Sequence, residues 1–465
     1  MAFKYGCLTG ETCMYRIFND FLNDRDNYEK KVPLLVRGAR QIGKSHCIRE
    51  YGLSKFSNMV EVNLELTPSL IPIFDSLNPE EICRHLELLD PLNQRLVDGK
   101  SLLFIDEIQE SASAILSLRA FKESRPGLEV VGAGSLLEFA LSDQKLRSFP
   151  VGRIGFAWLH PMGFLEFLQA VGHESLVQLL RAITIQNLGD LPNIAKAVHE
   201  KLLKLIRDYF IVGGMPEVVE SYCRSKSYTD ARKVQTRLTQ GFAADFVKYG
   251  TRYDHRKLQH LLASVPRQVG KKFKFSIVAP EARARDYHSP LEDLEKAGLV
   301  KLVRATSGNG VPLASEEREG AFKAIFLDIG LMTNTLGLNI AQTNGADFLF
   351  VNEGALAEQF VGQEIMAGTA NDIFPQAHFW IREVVGSEAE VDYLIGVNGD
   401  VYPVEVKAGK TGTLKSLRLF MKEKNSKFGV RISQHELSFF DGVLTVPFYL
   451  CSQLSRLIGE LSRTL

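Results

Sequence analysis

The residues Gly38-Ala39-Arg40-Gln41-Ile42-Gly43-Lys44-Ser45 follow the spacing G-x-x-x-x-G-K-[ST]. That spacing suits phosphate chemistry. Glycines let the backbone curl until its N–H groups face one point, and a following helix adds the positive end of its dipole. Lys44 is placed to reach the β- and γ-phosphates of a nucleoside triphosphate, and Ser45 to hold magnesium. His46 continues the run into the first helical turn. A second group, Asp106-Glu107, ends the apolar stretch SLLFIDEIQE (101–110). Asp106 suits a direct or water-mediated hold on magnesium, and Glu107 suits polarising an attacking water. A third group lies far downstream: Asp392, Glu405 and Lys407 in EAEVDYLIGVNGDVYPVEVKAGK (388–410). Two neighbouring carboxylates offer hard oxygen ligands to a divalent cation. A lysine beside them can orient a water and stabilise charge at a scissile phosphate.

Certain elements must position these groups. PLLVR (33–37) reads as a buried strand leading into the glycine loop, and HCIREYG as the helix after it. MVEVNLE (59–65), SLLFID and LEVVGAGSLLEF (128–139) supply further strands, the last ending in a small-residue turn. An open α/β sheet binds ligands at the carboxyl ends of its strands, where Asp106 and Glu107 fall. Ser135, in that turn, either touches the γ-phosphate or is a plain turn serine. Arg153 follows Gly152 just before another apolar strand. It serves the phosphates in cis, serves them from a neighbouring subunit, or is a surface arginine.

Downstream, Asn398-Gly399 between alternating apolar runs signals a two-residue type I′ hairpin. Centring the turn there makes Asp392 face Glu405 and Glu390 face Lys407, with all four on one face. Val391, Tyr393, Val404 and Val406 fill the other. Opposed carboxylates about 5 Å apart at Cβ repel unless a cation joins them. The bland alternative is an exposed cross-strand Glu390–Lys407 pair worth under about 1 kcal/mol. GVLTVPFYL (442–450) and an amphipathic tail complete this part.

Residues 169–250 show helical periodicity without strand signals. The stretch 248–304 then carries 13 Lys and Arg against 6 Asp and Glu in a chain of zero formal net charge. HRKLQHLLASV (255–265) reads as an amphipathic helix. Ser289-Pro290-Leu291-Glu292 reads as a capping box opening a second helix. LVKLVRA (299–305) and AFKAIFLD (321–328) read as two strands. The second helix is acidic at Glu292, Asp293 and Glu295, which opposes deep insertion into a groove. Lys271, Lys272, Lys274, Arg283 and Arg285 precede it and are placed to sit on nucleic-acid phosphates. Packing against protein is the alternative use of this unit.

RGARQIGKS, LLFIDEIQE, the Gly134-Ser135 turn, Gly152-Arg153 and HPMGFLEFL (160–168) together resemble the AAA-type P-loop ATPases of bacteria and archaea that carry a C-terminal domain of uncharacterised function. YFIVGGMPEVV (209–219) resembles the helical lid of that family, and the likeness runs from about residue 30 nearly to the end. His46-Cys47 departs from the usual Thr-Leu, after the magnesium ligand. The 251–340 pattern resembles a winged helix, as that family implies; such modules place a helix in the DNA major groove. Asp392 and Glu405-Val406-Lys407 resemble the PD-(D/E)xK nuclease core. That fold often adds a helical acid, and Glu358 in GALAEQFVGQEI (354–365) fits the position better than Glu353.

The expected architecture is α/β: an ATPase domain (1–168), a helical lid and connector (169–250), a winged-helix unit (251–340) and a restriction-endonuclease-like domain (341–465). The expected cofactors are ATP and Mg2+, and the expected partner is nucleic acid, DNA in preference to RNA. Self-association into a homo-oligomer is left open. The expected function is ATP hydrolysis coupled to nucleic-acid binding and metal-dependent cleavage. The alternative is a nucleotide switch whose C-terminal domains only bind partners. A ring-forming remodelling machine is disfavoured, since no aromatic pore-loop signature is seen. The six cysteines (7, 13, 47, 83, 223 and 451) form no C-x-x-C pair, which argues against a zinc site or disulfide framework. No window approaches the ~18 apolar residues a membrane span needs, and no secretory leader pattern opens the chain. A cytoplasmic location is expected.

Overall fold

The computed structural model describes residues 14–25, 31–92, 94–141, 152–185, 194–246, 255–279, 283–338, 353–384, 387–409 and 413–465. The sequence readings at Cys7 and Cys13 lie outside the described residues, as does the Glu353 side chain.

Strands β1 (Leu34–Arg37), β2 (Asn58–Asn63), β3 (Ser101–Asp106), β4 (Glu129–Ala133) and β5 (Gly155–Trp158) form one parallel sheet in the order β2-β3-β4-β1-β5. Every residue of β3 and β4 is buried, as expected of central parallel strands covered on both faces. Because all five run the same way, their carboxyl ends share one edge. Ala133 aligns with both Val36 and Asp106, so the glycine loop and the Asp106-Glu107 pair meet there, with β4 between them. Between 169 and 246 the described residues contain helices and no strand. The helices Lys196–Val212 and Pro216–Ser225 are separated by Gly213-Gly214-Met215.

The second sheet has eight strands: β6 (Val300–Thr306), β7 (Glu317–Phe326), β8 (Ala377–Val384), β9 (Ser387–Val397), β10 (Asp400–Lys407), β11 (Gly429–Ser433), β12 (Ser438–Phe440) and β13 (Val443–Pro447). Their order is β12-β13-β11-β10-β9-β8-β6-β7. The ribbon expected as a wing is therefore not free, because β6 pairs in parallel with β8. Lys272 also bridges Lys323 of β7. The sheet thus crosses the expected boundary at 340 without a break.

The capping-box expectation at Ser289 is corrected: one helix, Ala284–Lys296, runs through Pro290. Proline's fixed φ suits a helix and costs it one backbone bond. Burial of Tyr287, Leu291 and Leu294 along one stripe offsets that loss. A single apolar cluster extends from Phe18 through Tyr209, Leu294 and Phe360 to Leu461, so the expected units pack as one body. No described helix is long and apolar enough to cross a membrane.

Candidate functional site

The glycine loop leaves β1 through Gly38 at φ +141°, where a Cβ would come within 2.4 Å of the Leu159 carbonyl oxygen. Gln41 (φ +64°) and Gly43 (φ +92°) complete the curl, and Gly43 starts the helix Lys44–Lys55 without a side-chain cap. The first-turn N–H groups are thus left for an anion. Lys44 is buried and its Nζ donates to the carbonyls of Gly38 (3.0 Å) and Ala39 (2.8 Å). Burial pushes its pKa down to about 8, against the opposing pull of Glu107 and Asp106. Ser45 Oγ donates to Asp106 Oδ2 at 2.8 Å, and Asn63 Nδ2 donates to the same oxygen at 3.2 Å. Asp106 Oδ1 accepts from the Glu107 N–H at 3.1 Å. Burial raises the Asp106 pKa.

Glu107 sits in the left-handed region (φ +48°), which turns the chain sharply at the end of β3. Its Oε2 accepts from Gln109 Nε2 (2.6 Å) and from Ser135 Oγ (3.4 Å). Arg40 Nε donates to Ser135 Oγ at 3.1 Å, while Arg40 Nη1 pairs with Asp245 at 2.8 Å. His46 lies in the first helical turn, with its ring 3.5 Å from Glu50. The loop 38–46, Asp106, Glu107 and Ser135 are therefore brought together as the spacing implied.

Arg153 is not brought to them. It precedes β5, at the amino edge of a parallel sheet and so opposite the glycine loop, with Nε 3.8 Å from Glu123. The cis alternative for Arg153 fails on topology. Several contributors had no motif. Arg16, buried, donates to the Ile42 carbonyl of the loop (2.7 Å), to the His160 carbonyl (2.6 Å) and to Glu166 (2.9 Å). Asn63 and Gln109 hold the two acids. Gly298, at the turn into β6, lies so near the loop that a Cβ there would be 3.2–3.3 Å from Ala39.

The C-terminal group forms differently from the expected ladder. The hairpin turns at Asn398 (φ +53°) and Gly399 (φ +88°), and pairs run from Asp400–Val397 to Val404–Tyr393 as the turn chemistry requires. Beyond them the backbone pairing gives way: Asp392 Oδ2 accepts the Val406 N–H at 2.8 Å. Across β9 the register with β8 shifts between His378–Leu394 and Trp380–Val391, a bulge at Asp392-Tyr393. The alternative reading, a cross-strand Glu390–Lys407 ion pair, is absent from the ion pairs of the described residues. Instead Lys407 Nζ donates to Glu405 Oε1 at 2.6 Å on its own strand.

Glu390 and Asp392 turn to a residue from outside the hairpin. Lys323 of β7 is 2% exposed, and its Nζ lies 2.5 Å from Glu390, 3.1 Å from Glu358 and 3.5 Å from Asp392. The Glu358 helix thus delivers its acid to the cluster as expected. Burial and the neighbouring Asp392 push Glu405 up to about 7 and Glu358 up to about 8. Among the described residues no group of three or more His, Cys, Asp or Glu is arranged to hold a metal ion. The acids are present, but an ammonium stands among them.

Comparisons with known proteins can now be placed on this geometry. Residues 30–168 match the profile of an AAA domain. Residues 203–342 and 353–450 match two domains of unknown function (DUF8612 and DUF4143). No curated protein matches the chain. Among solved structures, a Walker-type ATPase of Pyrococcus abyssi is similar at 16% identity, covering 70% of this chain and 96% of that one, with a TM-score of 0.44. The Aeropyrum pernix ORC1 protein in complex with DNA (12%; 69% and 90%; TM-score 0.27) and AMPPCP-bound DnaA from Aquifex aeolicus (13%; 60% and 86%; TM-score 0.27) are also similar. The site geometry and the profile match agree: residues 30–168 form a P-loop ATPase domain of the AAA type.

Proposed function

We propose that this protein couples ATP hydrolysis to action on nucleic acid, with the C-terminal cluster as a metal-dependent phosphodiesterase site. The observation that carries the reading is the convergence of Glu358, Asp392, Glu405 and Lys407 from one helix and two strands.

At the phosphate site the donor set fits ATP with magnesium. The loop tolerates no Cβ at Gly38, which would strike the Leu159 carbonyl and Ile42, and a hydroxyl and a carboxylate stand together at Ser45 and Asp106. Magnesium, when bound, neutralises charge on the phosphates. Lys44 exchanges two neutral carbonyls for phosphate oxygens, and Ser45 with Asp106 would hold the metal. Glu107, held by Gln109, orients the water, and Ser135 with Arg40 reads the γ-phosphate position. Arg153 would act only from a neighbouring copy, which ties that role to a homo-oligomer.

At the second site Asp392 and Glu405, with Glu358, would hold the divalent cation, which would supply a polarised water. Lys407 would stabilise charge on the scissile phosphate. The helices His255–Gln268 and Ala284–Lys296, the Lys272–Lys323 bridge and the β6–β7 ribbon give the order of parts of a winged helix. Lys271, Lys272, Lys274, Arg283 and Arg285 are all exposed on it, which supports contact with a phosphate backbone, DNA before RNA. The described cysteines are free thiols, in keeping with a reducing cytoplasm.

The test is incubation with labelled DNA and RNA, with Mg2+ or Mn2+, with and without ATP. Cleavage that disappears in Asp392→Ala and Lys407→Ala chains is expected. No cleavage by the natural chain, or equal cleavage by both variants, sinks the nuclease reading. The Lys323 ammonium inside the cluster favours a second reading, a nucleotide switch that binds nucleic acid or protein without cutting. It predicts ATP turnover lost in Lys44→Ala and Glu107→Gln chains, with binding and no cleavage.

A further inference from the structure

Four acids meet in the C-terminal cluster, yet its best-buried charge is a lysine from a different part of the chain. Lys323 stands at an inward position of β7, pairing with Val303 of β6, and reaches Glu390, Glu358 and Asp392 at 2.5, 3.1 and 3.5 Å. Its Nζ also lies 5.3 Å from the centre of the Phe379 ring. Gly270, at φ +78°, closes the cluster beside Glu358, where a Cβ would come 2.9 Å from Oε1. A carboxylate-oxygen set of this kind is what a hard divalent cation takes up at about 2.0–2.6 Å. One acid is held only on one side: Glu405 is 6% exposed, its Oε1 accepts from Lys407 at 2.6 Å, and its buried Oε2 has no hydrogen-bond partner. A buried carboxylate oxygen without a partner marks a place where a further positive group is wanted.

We propose that the Lys323 ammonium is the resident cation of the Glu358–Glu390–Asp392–Glu405 cluster, and that a divalent cation competes with it for the same acids. This rests on the reading of the cluster as a divalent-cation site and gives that site its competitor. The β6–β7 ribbon starts at Val300, two residues after Gly298, which lies against Ala39 of the phosphate loop. One element therefore touches both sites, at the loop through its entry turn and at the acids through Lys323.

The experiment uses the full chain without nucleotide, in a Ser45→Ala background that removes the metal ligand of the phosphate site. Mn2+ alone is the probe, counted by loss of the free-ion electron paramagnetic resonance signal. Lys323→Met should bind Mn2+ at least about tenfold more tightly than the Lys323 chain, a difference of about 1.4 kcal/mol. Lys323→Arg should stay near the parent, and adding Glu405→Gln to Lys323→Met should abolish the gain. Because removal of a buried cation can unfold the chain, the thermal midpoint is followed as well. Mn2+ should raise it in Lys323→Met and not in Lys323→Met/Glu405→Gln. Unchanged affinity with no such rise overturns the proposal, and so does a Lys323→Met chain that Mn2+ fails to restore to a folded state. Tight Mn2+ binding by Lys323→Met without cleavage by any variant would remove the phosphodiesterase reading and leave the resident-cation proposal standing. Cleavage dependent on Asp392, with Mn2+ affinity indifferent to Lys323, would do the reverse.

Discussion

Lys44 and Lys323 are both buried lysines, 7% and 2% exposed, but their surroundings differ in kind. Lys44 donates to two neutral backbone carbonyls of its own loop, beside a helix N-terminus that no side chain caps. Those bonds are weak enough to be exchanged for a phosphate, and the nearest acids, Asp106 and Glu107, are already held by Ser45, Asn63 and Gln109. Lys323 donates into three carboxylates, so its charge is matched where it stands. The first site is built to receive an anion. The second, as folded, already contains its cation. A lysine near acids is therefore no sign of readiness for a ligand; what it is bonded to decides.

The largest effect tests this contrast directly. Replacing Lys323 with methionine should cost about 3–5 kcal/mol, because uncompensated carboxylates stay buried. The same replacement at Lys44 loses two bonds to carbonyls and should cost only about 1–2 kcal/mol. Denaturant midpoints of the two chains measured together will show the gap, and equal losses would erase the comparison. Arg16→Ala comes next. It leaves buried Glu166 with only the Ile17 and Gly163 N–H groups and frees the Ile42 carbonyl, so a loss of about 2–3 kcal/mol should accompany weaker nucleotide binding. A stability loss with unchanged nucleotide affinity would show that Arg16 does not shape the loop.

A smaller effect separates contact from backbone strain. Gly298 and Gly320 have nearly equal φ, +75° and +78°, but a Cβ at Gly298 meets Ala39 while one at Gly320 meets nothing within 4 Å. Alanine at either should cost about 1 kcal/mol of strain. Only Gly298→Ala should weaken ATP binding, by about three- to tenfold, as read by a fluorescent-nucleotide titration. The smallest effect is expected at Arg153, which is half exposed and paired only loosely with Glu123. Arg153→Ala should change stability by less than about 0.5 kcal/mol. ATP turnover of the dilute chain should not move either. A drop in turnover that appears only at high protein concentration would assign Arg153 to a neighbouring copy.

The phosphate site was legible because its parts are local. The loop and its helix are contiguous, the sheet is parallel, and the acids end a strand whose six residues are all buried. Turn chemistry likewise fixed the Asn398-Gly399 hairpin and its first five pairs. What failed to show was non-local. The bulge at Asp392-Tyr393 depends on β8 (AHFWIREV), whose pairing with β9 on one side and β6 on the other is set by the fold and not by its own residues. The ribbon at β6–β7 was visible as two strands, but its union with β8 is a parallel pairing that carries no sequence mark. The Ser289-Pro290 pattern locally favours a helix start, whereas tertiary burial of the Tyr287–Leu294 stripe keeps Pro290 inside a helix. Lys323 left one faint signal. In AFKAIF a lone lysine occupies the side of the strand that continues with buried Ile325. A charge there needs partners, and only the fold says which.

The central claim is that Lys44, Ser45, Asp106 and Glu107 form a working ATP site with separate duties for binding and hydrolysis. Nucleotide affinity and phosphate release measured in parallel on the natural, Lys44→Ala and Glu107→Gln chains test it most directly. Glu107→Gln should keep ATP affinity within a fewfold while turnover falls by about 10²–10⁴-fold, and Lys44→Ala should lose both. Natural-rate hydrolysis by Glu107→Gln, or undiminished ATP binding by Lys44→Ala, would contradict the account.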